Sequence, residues 1–206
     1  MRIGLSIDWD WFFDDVPTGR DYVPDHLTSS SATLRGTREN VLEFWNKFPE
    51  PREAFGNAPL LVCETHAWAA PWFTNMCFTI NLDAHSDNFP SRFPGYTSCD
   101  SWAYELGNVV WWKDHDVPKL VGHPTVFDRV LLCRSAPWTP PGEDDLLINL
   151  VWKYPGPVYY LDCPERKKLT ELTISECLCG SLVPQPWPTA VRSDTSILML
   201  GNHTGY

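Results

Sequence analysis

A three-layer α/β/α domain, with helices on both faces of a mainly parallel sheet, is the architecture this chain predicts. Short apolar runs alternate with stretches of helical period, the order of strand–helix–strand units. Several of those runs end in carboxylate or histidine side chains, at the strand ends where open parallel sheets carry their ligands. With 206 residues, 43% apolar and 20% charged, the chain is globular and long enough for a sizeable core. No internal repeat or linker divides it, so residues 1–206 are read as one domain.

Residues 2–7 open the chain as a strand. Thr37 is placed to cap a helix over 38–48, with Val41, Trp45 and Phe48 on its buried face. Strands follow over 59–63 and 77–82, with a helix starting soon after His66. Another helix is expected near 99–107, then strands over 108–112 and 129–133. A helix over 143–153 begins Glu143-Asp144-Asp145, acidic side chains that suit the positive end of its dipole. Strands over 157–161 and 196–200 complete the sheet. The Pro-rich pieces at 49–51, 137–141 and 184–188 read as rigid loops. Of the 11 tryptophans most must be packed, and some are candidates to line a pocket.

The apolar run Cys77-Phe78-Thr79-Ile80-Asn81-Leu82 leads directly into Asp83-Ala84-His85-Ser86-Asp87. Alternate side chains of an extended backbone share a face, so Asp83, His85 and Asp87 are expected to converge beyond the strand's carboxyl end. The first strand ends Ser6-Ile7-Asp8-Trp9-Asp10, again with two carboxylates one pleat apart, and the strand over 59–63 ends in Glu64-Thr65-His66. Taken singly, each is better read as a helix cap or a satisfied loop histidine. Together on one rim they would cost several kcal/mol in desolvation and mutual repulsion unless a cation sat among them.

A net charge of −10 without a basic run argues against nucleic acid as a partner. Seven scattered cysteines fit a reduced, cytoplasmic setting better than a disulfide framework. Cys163 with Cys177 and Cys179 is a conceivable zinc fragment, but its spacing fits no standard pattern. The first apolar run meets Asp8 too soon for a signal peptide, and no stretch approaches the ~18–20 apolar residues of a membrane span.

These motifs carry a family resemblance. Asp83-Ala84-His85-Ser86-Asp87 resembles the Asp-Ala-His-x-Asp motif of the ureohydrolases (arginase, agmatinase), and Asp8-Trp9-Asp10 resembles their Asp-x-Asp motif. The chain is more closely similar to an uncharacterised ureohydrolase-like family. That likeness rests on Glu64-Thr65-His66, Ser101-Trp102, Asp8-Trp9-Asp10-Trp11-Phe12, and Cys133-Arg134-Ser135 followed by Trp138, Pro140, Pro141 and Asp144. It touches roughly residues 1–13 and 60–150. In those families the Asp-x-Asp strand follows the histidine-bearing strand, whereas here it comes first, which looks like a circular permutation. Permutation is tolerable where termini lie close together at the surface.

The resemblance implies an arginase-like fold and a two-metal cluster. Asp83 and Asp8 would bridge the ions, His66 and Asp87 would complete one site, and His85 and Asp10 the other. Mixed oxygen and nitrogen donors suit Mn²⁺ first, with Zn, Fe, Co or Ni as alternatives. Asp87 is the candidate proton acceptor. Where the ureohydrolases carry a guanidinium-gripping Glu, this chain carries Arg134, which would suit a substrate with an anionic group. The plainer alternative is that Arg134 pairs with Glu143 or Asp144. Ser135 is either a pocket hydroxyl or a turn residue. The C-terminal Gly201-Asn202-His203-Thr204-Gly205-Tyr206 has several readings: His203 as a rival ligand to His66, Tyr206 as a deacetylase-like oxyanion donor, an echo of binuclear metallophosphoesterases, or a plain terminal turn.

The expected function is metal-dependent hydrolysis of a C–N bond in a small-molecule or peptide-borne substrate, with no membrane or nucleic-acid partner. The alternatives are a non-catalytic descendant that keeps the metal cage for interaction, and a metallophosphoesterase.

Overall fold

The computed structural model describes residues 1–14, 16, 32–48, 50–91, 95, 97–113, 126–135, 138–161 and 185–186. Its strands are β1 (Ile3–Asp8), β2 (Phe13–Asp14), β3 (Thr33–Leu34), β4 (Leu60–Cys63), β5 (Phe78–Leu82), β6 (Val109–Trp112), β7 (Arg129–Cys133), β8 (Val158–Leu161) and β9 (Gln185–Pro186). Its helices are α1 (Arg38–Leu42), α2 (Pro51–Phe55), α3 (Ala69–Phe73), α4 (Trp102–Leu106) and α5 (Asp144–Trp152). The main sheet has the order β6-β5-β1-β7-β4-β8-β9, parallel throughout except for the antiparallel β9 edge. The α/β class with a mainly parallel sheet therefore holds. The expected strand over 196–200 lies outside the described residues.

Alternation along the strands sends residues to two faces. Leu5, Ile7, Val62, Val130 and Leu132 pack with Phe44, Trp45, Phe55 and the apolar side of α5. Leu61, Cys63, Leu131 and Cys133 pack on the opposite face against Trp68, Phe73 and Trp102. The first core is rich in aromatic rings in edge-to-face contact, such as Trp9 on Phe13 and Phe48 on Phe55, while Trp68 and Trp102 pack in the second.

Three expectations need correction. The helix over 38–48 is capped by Thr37 as expected but breaks at Glu43, and residues Phe44–Lys47 form a 3₁₀ turn. Phe48 precedes a proline, so its backbone is extended and the helix must close before it. Pro51 is not in a loop: it occupies the first turn of α2, where its missing N–H costs nothing. The helix near 99–107 is only Trp102–Leu106, stopped by Gly107 in the left-handed region at φ 68°.

Gly4 of β1 marks where α3 comes down on the sheet. A Cβ there would lie 2.6 Å from Phe73 Cδ1 and 2.9 Å from Thr79 Oγ1. Gly4→Ala is expected to cost about 1–3 kcal/mol, read as a lower midpoint in a urea melt. An unchanged midpoint would mean that α3 has room to spare here.

The order β5-β1-β7-β4 sets four strand ends side by side. Asp8 pairs in register with Cys133, and Cys133 with Cys63. Ile7 is paired with Leu82, so Asp83, the next residue, falls beside Asp8. One rim of the sheet thus reads Asp83, Asp8, Cys133, Cys63.

Candidate metal centre

The acidic motifs converge through turns rather than through the pleat. Asp8 ends β1 and caps a 3₁₀ turn over Trp9–Phe12, accepting from the Asp10 N–H at 3.2 Å. Asp83 does the same after β5, where its Oδ1 accepts from the His85 N–H at 2.7 Å. These are Asx turns, in which a short carboxylate ties down the backbone two residues on. Asp87 completes the loop with a left-handed φ of 50°. The expectation of strand-like alternation over 83–87 and 8–10 is corrected accordingly: the chain leaves the sheet at Leu82 and at Asp8, and the turns aim the side chains.

Two histidine-centred groups result. His66 Nδ1 lies 3.1 Å from Asp8 Oδ2, 3.3 Å from Asp83 Oδ2 and 2.9 Å from Asp87 Oδ2. His85 Nδ1 lies 2.8 Å from Asp10 Oδ2 and 3.6 Å from Asp83 Oδ1. Asp83 gives one oxygen to each group. Asp8 gives Oδ2 to the His66 group, while its Oδ1 is the cap acceptor for Asp10. His85, 23% exposed, is the most open of the six side chains and stands 5.3 Å from the Trp138 ring.

A ring of neutral donors holds the carboxylates in place. Ser135 Oγ donates to Asp8 Oδ2 at 2.6 Å, Asn81 Nδ2 to Asp83 Oδ2 at 3.0 Å, and Trp102 Nε1 to Asp87 Oδ2 at 2.7 Å. The Ala84 N–H reaches Asp10 Oδ1 at 3.3 Å, and Ser6 Oγ sits 2.9 Å from His66 Nε2. Among the described residues no lysine or arginine lies within ion-pair distance of Asp8, Asp10, Asp83 or Asp87.

Four buried carboxylates against two imidazoles leave an excess of negative charge, and the protonation equilibria register it. Burial, with Asp8 and Asp83 nearby, pushes the Asp10 carboxyl well above the usual carboxylate range. Burial, with Asp83 beside it, pushes Asp87 up to about 7. For Asp83 burial also works upward, but the imidazoles of His66 and His85 outweigh it and hold the carboxyl below the usual range. Burial alone would lower the His66 imidazole; the acidic groups around it, Cys133 and Asp8 first, raise it instead.

The donor set fits divalent cations. Donors about 2.1 Å from one ion and at right angles stand about 3.0 Å apart, close to the spacings around His66. Asp10 Oδ2 is buried without a hydrogen bond although His85 Nδ1 is 2.8 Å away, so the two atoms face each other off the hydrogen-bonding axis. A buried carboxylate oxygen facing an imidazole nitrogen at 2.8 Å without an aligned hydrogen bond is a pair of donors that a cation could share. Three groups of side chains could hold an ion: Asp10, Asp83 and His85; His66, Asp83 and Asp87; and Asp8, His66 and Cys133.

The other expected site residues divide. Ser135 does reach the centre, as a donor to Asp8. The Arg134 guanidinium lies between two carboxylates. Its Nε and Nη2 bind Asp144 at 3.1 and 2.6 Å, and its Nη1 binds Glu64 at 3.1 Å. The pairing with Asp144 was one of the two readings open in the sequence; Glu143 instead pairs with Arg38. Glu64 accordingly belongs to this buried ion triad. His203, Tyr206, Cys163, Cys177 and Cys179 lie outside the described residues. Sequence reasoning missed Cys133, Trp102, Ser6 and Asn81 as members of the site. Ser6, Asn81 and Cys133 lie on strands and Trp102 opens α4, the last two within motifs of the family resemblance; strand order and the packing of α4 bring the four together.

Comparison of the chain with protein families, with curated proteins and with solved structures finds no match in any of the three. Among the described residues no helix is long and apolar enough to cross a membrane.

Proposed function

We propose that this protein is a metal-dependent hydrolase of the ureohydrolase–deacetylase kind, circularly permuted, which cleaves a C–N bond of amide or amidine type. The observation that carries the reading is Asp83, whose two oxygens serve two histidine-centred groups at 3.3 and 3.6 Å. That is the arrangement a pair of ions sharing one carboxylate requires. The strand order supports the permuted arginase-like fold, because β1 lies directly beside β5 although it comes first in the chain.

When bound, a divalent pair supplies Lewis acidity and lowers the pKa of water at the site to near 7. The protein's own residues do the rest. His66, Asp8, Asp83 and Asp87 would hold one ion, and His85, Asp10 and Asp83 the other. Oxygen and nitrogen donors alone suit Mn²⁺ first, then Zn, Fe, Co or Ni. Asp87, oriented by Trp102 and His66, is the group placed to take a proton. Cys63, Cys77, Cys99 and Cys133 form no disulfide among the described residues, in keeping with a reduced, cytoplasmic setting.

The test is turnover. Metal-stripped protein reloaded with Mn²⁺ is offered panels of acyl-amides and guanidino compounds. Metal-dependent hydrolysis, lost in Asp87→Ala with the circular dichroism unchanged, is the expected result. Full metal loading without turnover on either panel would favour the second reading, a non-catalytic metal-binding descendant. That reading draws on Arg134 being consumed by Glu64 and Asp144 instead of meeting a substrate. Phosphate release from aryl phosphates would point to a metallophosphoesterase instead.

A further inference from the structure

We propose that Cys133 is a thiolate ligand in the His66 half of the centre, making it a mixed oxygen, nitrogen and sulfur site that selects Zn²⁺, Fe²⁺ or Co²⁺ over Mn²⁺. The inference rests on the metal-centre reading above and names the side chain that decides which ion that half holds.

Strand register puts the thiol there. Cys133 is the last residue of β7 and pairs directly with Asp8 of β1. Its sulfur, an Asp8 oxygen and a His66 ring nitrogen all lie within 4.8 Å of one another, and all three residues are buried. Sulfur at about 2.3 Å and oxygen or nitrogen at about 2.1 Å from one ion stand about 3.6 Å apart in a tetrahedron and about 4.4 Å apart when opposite. The 4.8 Å limit lies close to the longest span that a single ion bridges. In the neighbouring His85 group, Asp10 Oδ2 is buried with no well-aligned hydrogen bond, its nearest partner being His85 Nδ1 at 2.8 Å.

Neighbouring contacts distinguish Cys133 from the other cysteines. Ser135 Oγ lies 3.3 Å from the Cys133 sulfur, and its one proton is committed to Asp8 Oδ2 at 2.6 Å. The thiol is thus the donor in that contact, held at the edge of the carboxylate group. Cys63, one strand over, turns its thiol to the Thr65 carbonyl at 3.4 Å, and Cys77 and Cys99 are exposed. A buried cysteine is ordinarily a small hydrophobe, and Cys133 does pack in the core beside Trp102, yet its sulfur also lies within 4.8 Å of a carboxylate oxygen and an imidazole nitrogen. On binding, the S–H bond breaks, its electron pair goes to the ion and one proton leaves to solvent, with no change of oxidation state. A soft sulfur donor shifts preference away from Mn²⁺.

Cobalt reads both levels of the claim. The metal-stripped full chain is titrated with Co²⁺ and followed from the near ultraviolet to the visible. Wild type is expected to show ligand-field bands together with a thiolate-to-cobalt charge-transfer band. Cys133→Ser is expected to keep the first and lose the second, and Cys63→Ser to keep both. Zn²⁺ affinity should fall at least ~10-fold in Cys133→Ser while Mn²⁺ affinity changes far less. Ligand-field bands without charge transfer in wild type, or charge transfer that survives in Cys133→Ser, overturn the thiolate and leave the metal centre standing. No cobalt spectrum and no Zn²⁺ binding in wild type overturn both. If Cys133→Ser loses its fold by circular dichroism, Cys133→Ala takes its place, and the wild-type spectrum decides in either case.

Discussion

Asp83→Asn is expected to purify without bound metal and to gain no stability from added divalent ion. Asp83 supplies Oδ2 to the His66 group and Oδ1 to the His85 group, so one substitution strikes both. Asparagine keeps the shape but offers a single weak oxygen donor, turns an amide nitrogen towards one ion and removes a charge that neither histidine can replace. Wild type saturated at 100 times its dissociation constant gains about 2.7 kcal/mol, or roughly 5–10 °C in Tm for a chain of this length. The variant should gain nothing resolvable. Asp8→Asn is expected to behave alike in the His66 group, since Asp8 Oδ2 is 3.1 Å from His66 Nδ1. Elemental analysis after gel filtration decides the matter. Full metal content in Asp83→Asn would sink the ligand assignment.

The rim of acidic and imidazole groups is legible in the sequence because each motif is local: Asp8 and Asp10, His66, then Asp83, His85 and Asp87 follow apolar runs that form strands. The way they converge is not legible. The spacing Asp-x-Asp or Asp-x-His fits a pleat and an Asx turn equally well, and only the backbone decides between them. Non-local partners are hidden for a different reason. Cys133 reaches Asp8 because β7 lies beside β1, and Trp102 reaches Asp87 because α4 packs under the loop. No sequence spacing encodes either adjacency. The broken helix at Glu43 and the start of α2 at Pro51 turn on single-residue backbone preferences that a period-based reading passes over.

Arg134 carries the largest expected effect on stability. Its guanidinium is 12% exposed and lies between Glu64 and Asp144, each 5% exposed. The fork with Asp144 is bidentate, the geometry in which arginine cannot be exchanged for lysine. The Arg134 N–H also donates to the Cys63 carbonyl at 2.8 Å, so the triad ties the ends of β4 and β7 to the start of α5. Removing the cation alone leaves two buried carboxylates facing each other. Arg134→Met is therefore expected to cost about 3–5 kcal/mol in chemical denaturation. The triple replacement Arg134→Met, Glu64→Gln, Asp144→Asn should recover most of that loss, because removing a whole buried triad is far cheaper than removing one member. A substrate-gripping arginine predicts the reverse: little change in stability and a raised KM for an anionic substrate. A loss under about 1 kcal/mol in Arg134→Met would mean that the triad does not hold the rim, and would favour a substrate-binding role for Arg134.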